Sequence, residues 1–194
     1  MPDHTPTPDT GGDYNPRDYP AVAVTVDIVM FTIVDAELKV LLIQRGTPPF
    51  LGQWALPGGF IHPDEDLADA ARRELAEETG IHQDPGHLEQ FGSYGDPDRD
   101  PRMRVVTVGF WAIVSDLPTP AGGSEARNAE LVAVSEVESG RIRLAFDHAT
   151  ILADALETAR SKLESTTLAA AFCGPEFTVS DLRKVYDAVW NTEL

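Results

Sequence analysis

A single cysteine, Cys173, occurs in the 194 residues, so an intramolecular disulfide is excluded and a reducing compartment is the simplest home. No apolar run is long enough to span a bilayer, and the N-terminus has neither the basic start nor the apolar middle of a signal peptide. These absences lead to the expectation of a cytoplasmic protein that does not engage membranes. Basic residues are also scarce, 15 Lys and Arg against 32 Asp and Glu, and the net charge is −17. Broad binding to nucleic acid or anionic lipid needs clustered cations and is not expected. An anionic chain can still take an anionic substrate when bound metal ions supply the missing positive charge. No Ser-His-Asp or Cys-His arrangement points to a covalent nucleophile, and Cys173 reads as a small buried apolar residue.

What the chain does have is 42% hydrophobic residues, enough for a real core. Residues 1–19 are rich in Pro, Asp, Thr and Gly without apolar periodicity, and read as a flexible N-terminal segment. Val22, Val24, Val26, Ile28 and Met30 then alternate in a β-branched run, and a second run, Leu38 to Gln44, follows the turn-prone Asp35-Ala36-Glu37. The two read as a hairpin. Further strands are expected at Val105 to Val114 and Leu131 to Val134, and helices from His148 to about Leu163 and from Phe177 to about Trp190. Asp147 reads as the N-cap of the first of these helices, and Thr178 with Asp181 approximates a capping box on the second.

The most informative segment runs from Gly59 to Ile81. At 3.6 residues per turn Glu74, Glu77 and Glu78 fall within an arc of roughly 100°, so their carboxylates are expected to converge. Three like charges that close become favourable around a cation, and hard oxygen ligands select magnesium, manganese or calcium. Arg73, four residues before Glu77, is placed to hold that carboxylate in one rotamer. Ala68, Ala71 and Leu75 form a stripe that can pack on a sheet while the glutamates face a cleft. Gly80 suits a left-handed helix end, and Pro57-Gly58-Gly59 leaves backbone groups open to phosphate or metal.

This segment resembles the Nudix box: Gly, five residues, Glu, seven residues, Arg-Glu, an aliphatic, any residue, Glu-Glu, any residue, Gly, an aliphatic. Gly59, Glu65, Arg73, Glu74, Leu75, Glu77, Glu78, Gly80 and Ile81 match every fixed position. The resemblance implies an α/β/α sandwich with a mixed sheet, spanning residues 20–145, that hydrolyses a nucleoside diphosphate linked to another moiety. It implies one to three Mg2+ ions, with Mn2+ as the alternative, on Glu74, Glu77, Glu78 and the Gly59 carbonyl, with Glu65 and Arg73 orienting that shell. For the general base, the alternatives to a box glutamate are Glu125 and Glu130.

Three outer runs, Pro49 to Phe60, Gly95 to Arg102 and Leu144 to His148, resemble one Nudix branch. It contains ADP-ribose pyrophosphatases and related repressors of NAD biosynthesis. ADP-ribose, cleaved to AMP and ribose 5-phosphate, is the substrate this implies, with NADH and other nucleotides as alternatives. Arg99, Arg102 and Arg104 are candidates to contact the diphosphate or ribose, and Gly58 and Phe50 to line the substrate site, Phe50 by stacking on adenine. Trp54 reads instead as a core anchor, and His62 as a surface residue. The branch also implies a homodimer formed through the N-terminal strand region.

Residues 146–194 form a helical extension whose Phe-Thr-Val-Ser-Asp-Leu run, Phe177 to Leu182, resembles the second helix of the repressors' winged helix. The third helix and basic wing do not follow, so the extension reads as an incomplete winged helix. From residue 147 onward four basic residues, Arg160, Lys162, Arg183 and Lys184, face eight acidic ones, a net of −4, so DNA binding is not expected.

Overall fold

The computed structural model describes Asn15 and residues 19–82, 87–115, 117–118, 120, 122–123, 126–173 and 176–192. The expected hairpin is present: β1 (Ala23–Val34) and β2 (Glu37–Arg45) pair antiparallel from Phe31↔Val40 to Val34↔Glu37. Asp35 and Ala36 join them at φ of 53° and 61°, a turn whose twist suits two adjacent strands. Two short strands, β3 (Trp54–Ala55) and β4 (Gly58–Phe60), precede helix α1 (Leu67–Thr79). Then come β5 (Leu88–Tyr94), β6 (Val105–Ile113), β7 (Ala126–Ala133), α2 (Val134–Glu138), α3 (His148–Ser165), a 3-10 turn at Leu168–Phe172, and α4 (Val179–Trp190).

Among the described residues, seven strands make one mixed sheet, ordered β3-β2-β1-β6-β5, with β4 added to β1 and β7 to β2. Among the described strands, β1 and β6 pair parallel and the other five pairings are antiparallel. Period-two alternation explains the continuous burial of β1, whose residues Val26 to Phe31 include five fully buried apolar side chains. Val29 and Phe31 face a core shared with α3 and α4, where Trp111, Ile113, Ile151, Leu156, Val185 and Val189 meet. Val26 and Ile28 face Ala70 and Ala71 of α1, and Met30 faces Leu75. The result is the expected α/β/α sandwich, and its helical C-terminal region shares the same core.

One expected strand changes its bounds, and another strand was not read from the sequence. The strand placed at Leu131 to Val134 begins at Ala126, hidden in sequence by the exposed Arg127 and Glu130, and Val134 already opens α2. Strand β5, LEQFGSY, lacks clean alternation because the ladder shifts register between Gln90 and Gly92. Pairing of two chains through the N-terminal strand loses its physical motive, since β1 is hydrogen-bonded to β2, β4 and β6 within its own sheet. Of residues 1–19 only Asn15 and Tyr19 lie within the described set. Among the described residues, no helix is long and apolar enough to cross a membrane.

Candidate active site

The hairpin opens at one end, and the site is built in the opening. Past Phe31↔Val40, β1 pairs with β4 (Thr25↔Phe60, Val26↔Gly59, Asp27↔Gly58) while β2 pairs with β3 (Ile43↔Ala55, Gln44↔Trp54). Leu56 and Pro57 therefore cross between the two central strands, and Gly58 and Gly59 emerge under α1. Trp54 is packed against the main core, as its sequence context suggests.

Helix α1 starts at Asp66, whose carboxylate accepts from the Leu67 N–H at 2.7 Å, and ends at Gly80 with φ 70°. Packing of Ala70, Ala71 and Leu75 on the sheet turns Glu74 and Glu78 inward toward the glycines, while the Glu77 side chain is 50% exposed. The Gly58 N–H donates to Glu78 Oε2 at 2.9 Å. Gly59 lies so close to the Glu74 carboxylate that a Cβ there would overlap it.

Arg73 is the hub of this cluster. Its Nε and Nη2 donate to the two oxygens of Glu65 at 2.9 and 2.6 Å, Nη1 to Glu74 at 2.8 Å, and Nη2 to the Phe60 carbonyl at 3.0 Å. Its contact with Glu77, the partner expected from helical spacing, is the longest at 3.3 Å. The Arg73 hydrogen bond holds the Glu65 carboxyl at a pKa of about 2, and the same bond raises Arg73.

The expected convergence of three glutamates is thus only partial. Among the described residues no three His, Cys, Asp or Glu side chains stand in metal-holding geometry, because Glu74 and Glu77 turn to Arg73 and Glu78 turns to the Gly58 N–H. The donor chemistry nevertheless fits a hard divalent cation. Glu74, Glu77 and Glu78, with the backbone of Gly58 to Phe60, line an open cleft of about 320 Å³ and offer oxygens of one kind.

A second cluster fills the floor of the opening. Asp27, Arg99 and His148 are all buried. Arg99 donates to both oxygens of Asp147 at 2.9 and 2.7 Å and to Asp27 at 3.3 Å. Burial alone would lower Arg99, but the Asp147 hydrogen bonds and the Asp27 charge outweigh it and leave the guanidinium raised. Asp147 does occupy the residue before α3, yet its side chain makes no cap hydrogen bond, being committed to Arg99. His148 Nδ1 accepts from the Leu56 N–H at 2.9 Å, which requires that nitrogen to be unprotonated, and Nε2 lies 3.4 Å from Asp27 Oδ1.

Of the arginines read as substrate contacts, Arg99 is held by carboxylates in the interior. Arg102 chelates Asp100 and lies over the Phe60 and Phe146 rings, at 5.4 and 5.9 Å. Arg104 is exposed and donates to the Asp96 and Val105 carbonyls. A small recess lined by Arg45, Arg102, Gly58, Gly59 and Phe60 adjoins the carboxylate cleft. Beyond it, Phe50, Tyr94, Asp96, Asp98 and Phe146 line a wider cavity of about 700 Å³, with Phe50 edge-on to Phe146 at 4.8 Å. His62 is exposed.

The segment before β7 does reach α1, since the Gly123 N–H donates to the Glu78 carbonyl at 3.1 Å. Glu125 lies outside the described residues. Glu130 is exposed on β7 and accepts from the Asn128 amide. Sequence reasoning missed Asp27, Arg45 and the burial of His148. A carboxylate at position 27 inside the apolar run Val24 to Phe31 is the signal that could have flagged the floor cluster.

A buried, desolvated His148 carries a lowered pKa, with Asp27 and Asp147 opposing the shift and Arg99 and Arg45 adding to it. The unfolded chain then binds the proton first as pH falls through the ordinary value of 6.5, so the contribution of a neutral His148 is present above 6.5 and lost below it. Between pH 6.5 and 5 the unfolding free energy should fall by up to about 1.4 kcal/mol per pH unit from this residue. Urea melts across that range test it. A slope equally steep in His148→Asn would refute the assignment to His148.

A mixed sheet between helices, with a Gly58-Gly59 loop held beneath a glutamate-bearing helix by an arginine hub, defines a Nudix fold and site, and the NUDIX domain family model matches residues 24–155. The chain belongs to that family. It is 35% identical to the ADPR-responsive transcriptional repressor NtrR of Acinetobacter baylyi, over 93% of this chain and 72% of that protein. It is 38% identical to the ADP-ribose pyrophosphatase of Methanocaldococcus jannaschii, over 70% of this chain and 73% of the other. Among solved structures, the NUDIX domain of Shewanella oneidensis NrtR complexed with ADP-ribose is 36% identical with a TM-score of 0.67, covering 76% of this chain and 94% of that one. Family and relatives together indicate a hydrolase.

Proposed function

We propose that this chain is a magnesium-dependent hydrolase that cleaves the diphosphate of ADP-ribose to AMP and ribose 5-phosphate, with manganese as an alternative ion. The observation that carries the proposal is the set of glutamates around Gly58 and Gly59, with Glu65, Glu74 and Glu77 gathered by Arg73 and Glu78 on the Gly58 N–H. Glu74, Glu77, Glu78 and the Gly59 carbonyl would hold the metal, which when bound polarises the diphosphate and activates water. Arg73 and Glu65 keep those ligands in place. Arg45 and Arg102 put positive charge beside the same loop, where it can offset the negative charge of a phosphate next to the glutamates. The wide cavity walled by Phe50 and Phe146 gives the remaining nucleoside or sugar an aromatic surface.

The relation to a repressor over most of the chain favours one second reading, an ADP-ribose sensor acting on DNA. The net −4 of residues 147–194 weighs against it, because phosphate tracking needs clustered cations. Incubation with magnesium and ADP-ribose, NADH, a nucleotide sugar or an oxidised nucleoside triphosphate, followed by chromatography, tests the proposal. ADP-ribose is expected to be consumed fastest. No turnover of any of the four, together with specific DNA binding that ADP-ribose weakens at moderate salt, would replace the enzyme by the sensor.

A further inference from the structure

The floor cluster reaches the loop that bears the proposed metal site at two points. The Leu56 N–H, buried between β1 and β2, is bonded to His148 Nδ1 from 92 residues away. One residue after Pro57, the Gly58 backbone lies against Asp27, so closely that an added Cβ would stand 2.9 Å from Asp27 Oδ1 and overlap the Val26 carbonyl. Asp27 in turn faces His148 Nε2 and Arg99, and Arg99 ties both to Asp147 at the start of α3. From the other side the loop is held by Glu78 on the Gly58 N–H. Leu56 to Gly58 is thus clamped between α1 and the N-terminal end of α3.

We infer that His148 is a positioning residue: as an acceptor for the Leu56 N–H it fixes the height of the Gly58-Gly59 backbone against Glu74 and Glu78. This rests on the proposed metal-dependent reading of the cleft. The physical reason is the direction of the restraints. The loop's other ties run to β1 and α1, with the Pro57 carbonyl accepting from the Ile28 N–H at 2.8 Å, Gly58 to Phe60 paired with β1, and Glu78 on the Gly58 N–H, whereas His148 holds Leu56 from the α3 side. Partners that orient ligands without touching the metal change affinity or rate by about 10- to 100-fold when removed.

The two ring nitrogens make the inference testable. An asparagine at 148 places its amide oxygen near the Nδ1 position and can still accept from Leu56, whereas a glutamine reaches the Nε2 position and can still face Asp27. Mn2+ affinity, read by electron paramagnetic resonance, should stay within about threefold of wild type in His148→Asn and weaken at least about 10-fold in His148→Gln and His148→Ala. kcat should follow the same order with KM for ADP-ribose little changed. Wild-type protein that binds Mn2+ while Asn, Gln and Ala variants bind it equally well, or Gln that outperforms Asn, would overturn the inference. Wild-type protein that binds no Mn2+ would instead overturn the proposed function. Should the variants not fold, nuclear magnetic resonance of the wild-type chain decides. Mg2+ addition should shift the Leu56 amide and the His148 Nδ1 signals together, and leaving both unmoved while the Gly59 signal shifts would refute the link.

Discussion

Replacing Glu78 with glutamine is expected to lower turnover of ADP-ribose at least about 100-fold at saturating magnesium, the scale of losing a main electrostatic contributor. The side chain is buried, and one of its oxygens accepts from the Gly58 N–H at 2.9 Å. Glutamine keeps an oxygen for that bond, so the loop stays in place and the change isolates the charge. Steady-state kinetics over a magnesium titration, with a thermal melt to show that the fold is intact, is the measurement. Wild-type turnover at saturating magnesium would remove Glu78 from the metal site.

Arg99→Met should cause the largest loss of stability, about 3 kcal/mol. Removing one partner of a buried ion pair costs about 3–5 kcal/mol, and the partial exposure of Asp147 places this case at the lower end. Methionine fills similar volume but leaves Asp27 and Asp147 without their common cation in the interior. Urea unfolding at neutral pH gives the loss directly. A variant as stable as the parent would mean that water reaches both carboxylates and that the cluster is not dry. Asp27→Asn combined with Arg99→Met should recover part of the loss, because the more deeply buried of the two stranded carboxylates is then neutral and only the partly exposed Asp147 keeps its charge.

The box was legible because its chemistry is local. Asp66, Arg73, Glu74 and Gly80 lie within one helix and its caps, where fixed spacing sets direction, and the cap at Gly80 and the inward faces of Ala71 and Leu75 follow from it. Helical spacing could not rank the partners of Arg73. Glu65 is eight residues away in a loop and wins over Glu77 because it offers two oxygens to the guanidinium fork at 2.6 and 2.9 Å. In the same way, an N-cap reading of Asp147 is sound for an isolated helix and yields to a buried arginine that the chain brings from 48 residues upstream.

The sequence by itself determined the family, the alternating hairpin, the glutamate-bearing helix and the acidic balance, since these depend on residue type and near spacing. Tertiary structure alone decided that β1 and β2 part to admit Leu56 and Pro57, and that Asp27, Arg99, Asp147 and His148 meet beneath that loop. The reason is physical. Each of those four side chains would be solvated or neutral by its local sequence, and only the closing of the sheet against α3 withdraws the water that makes them seek one another.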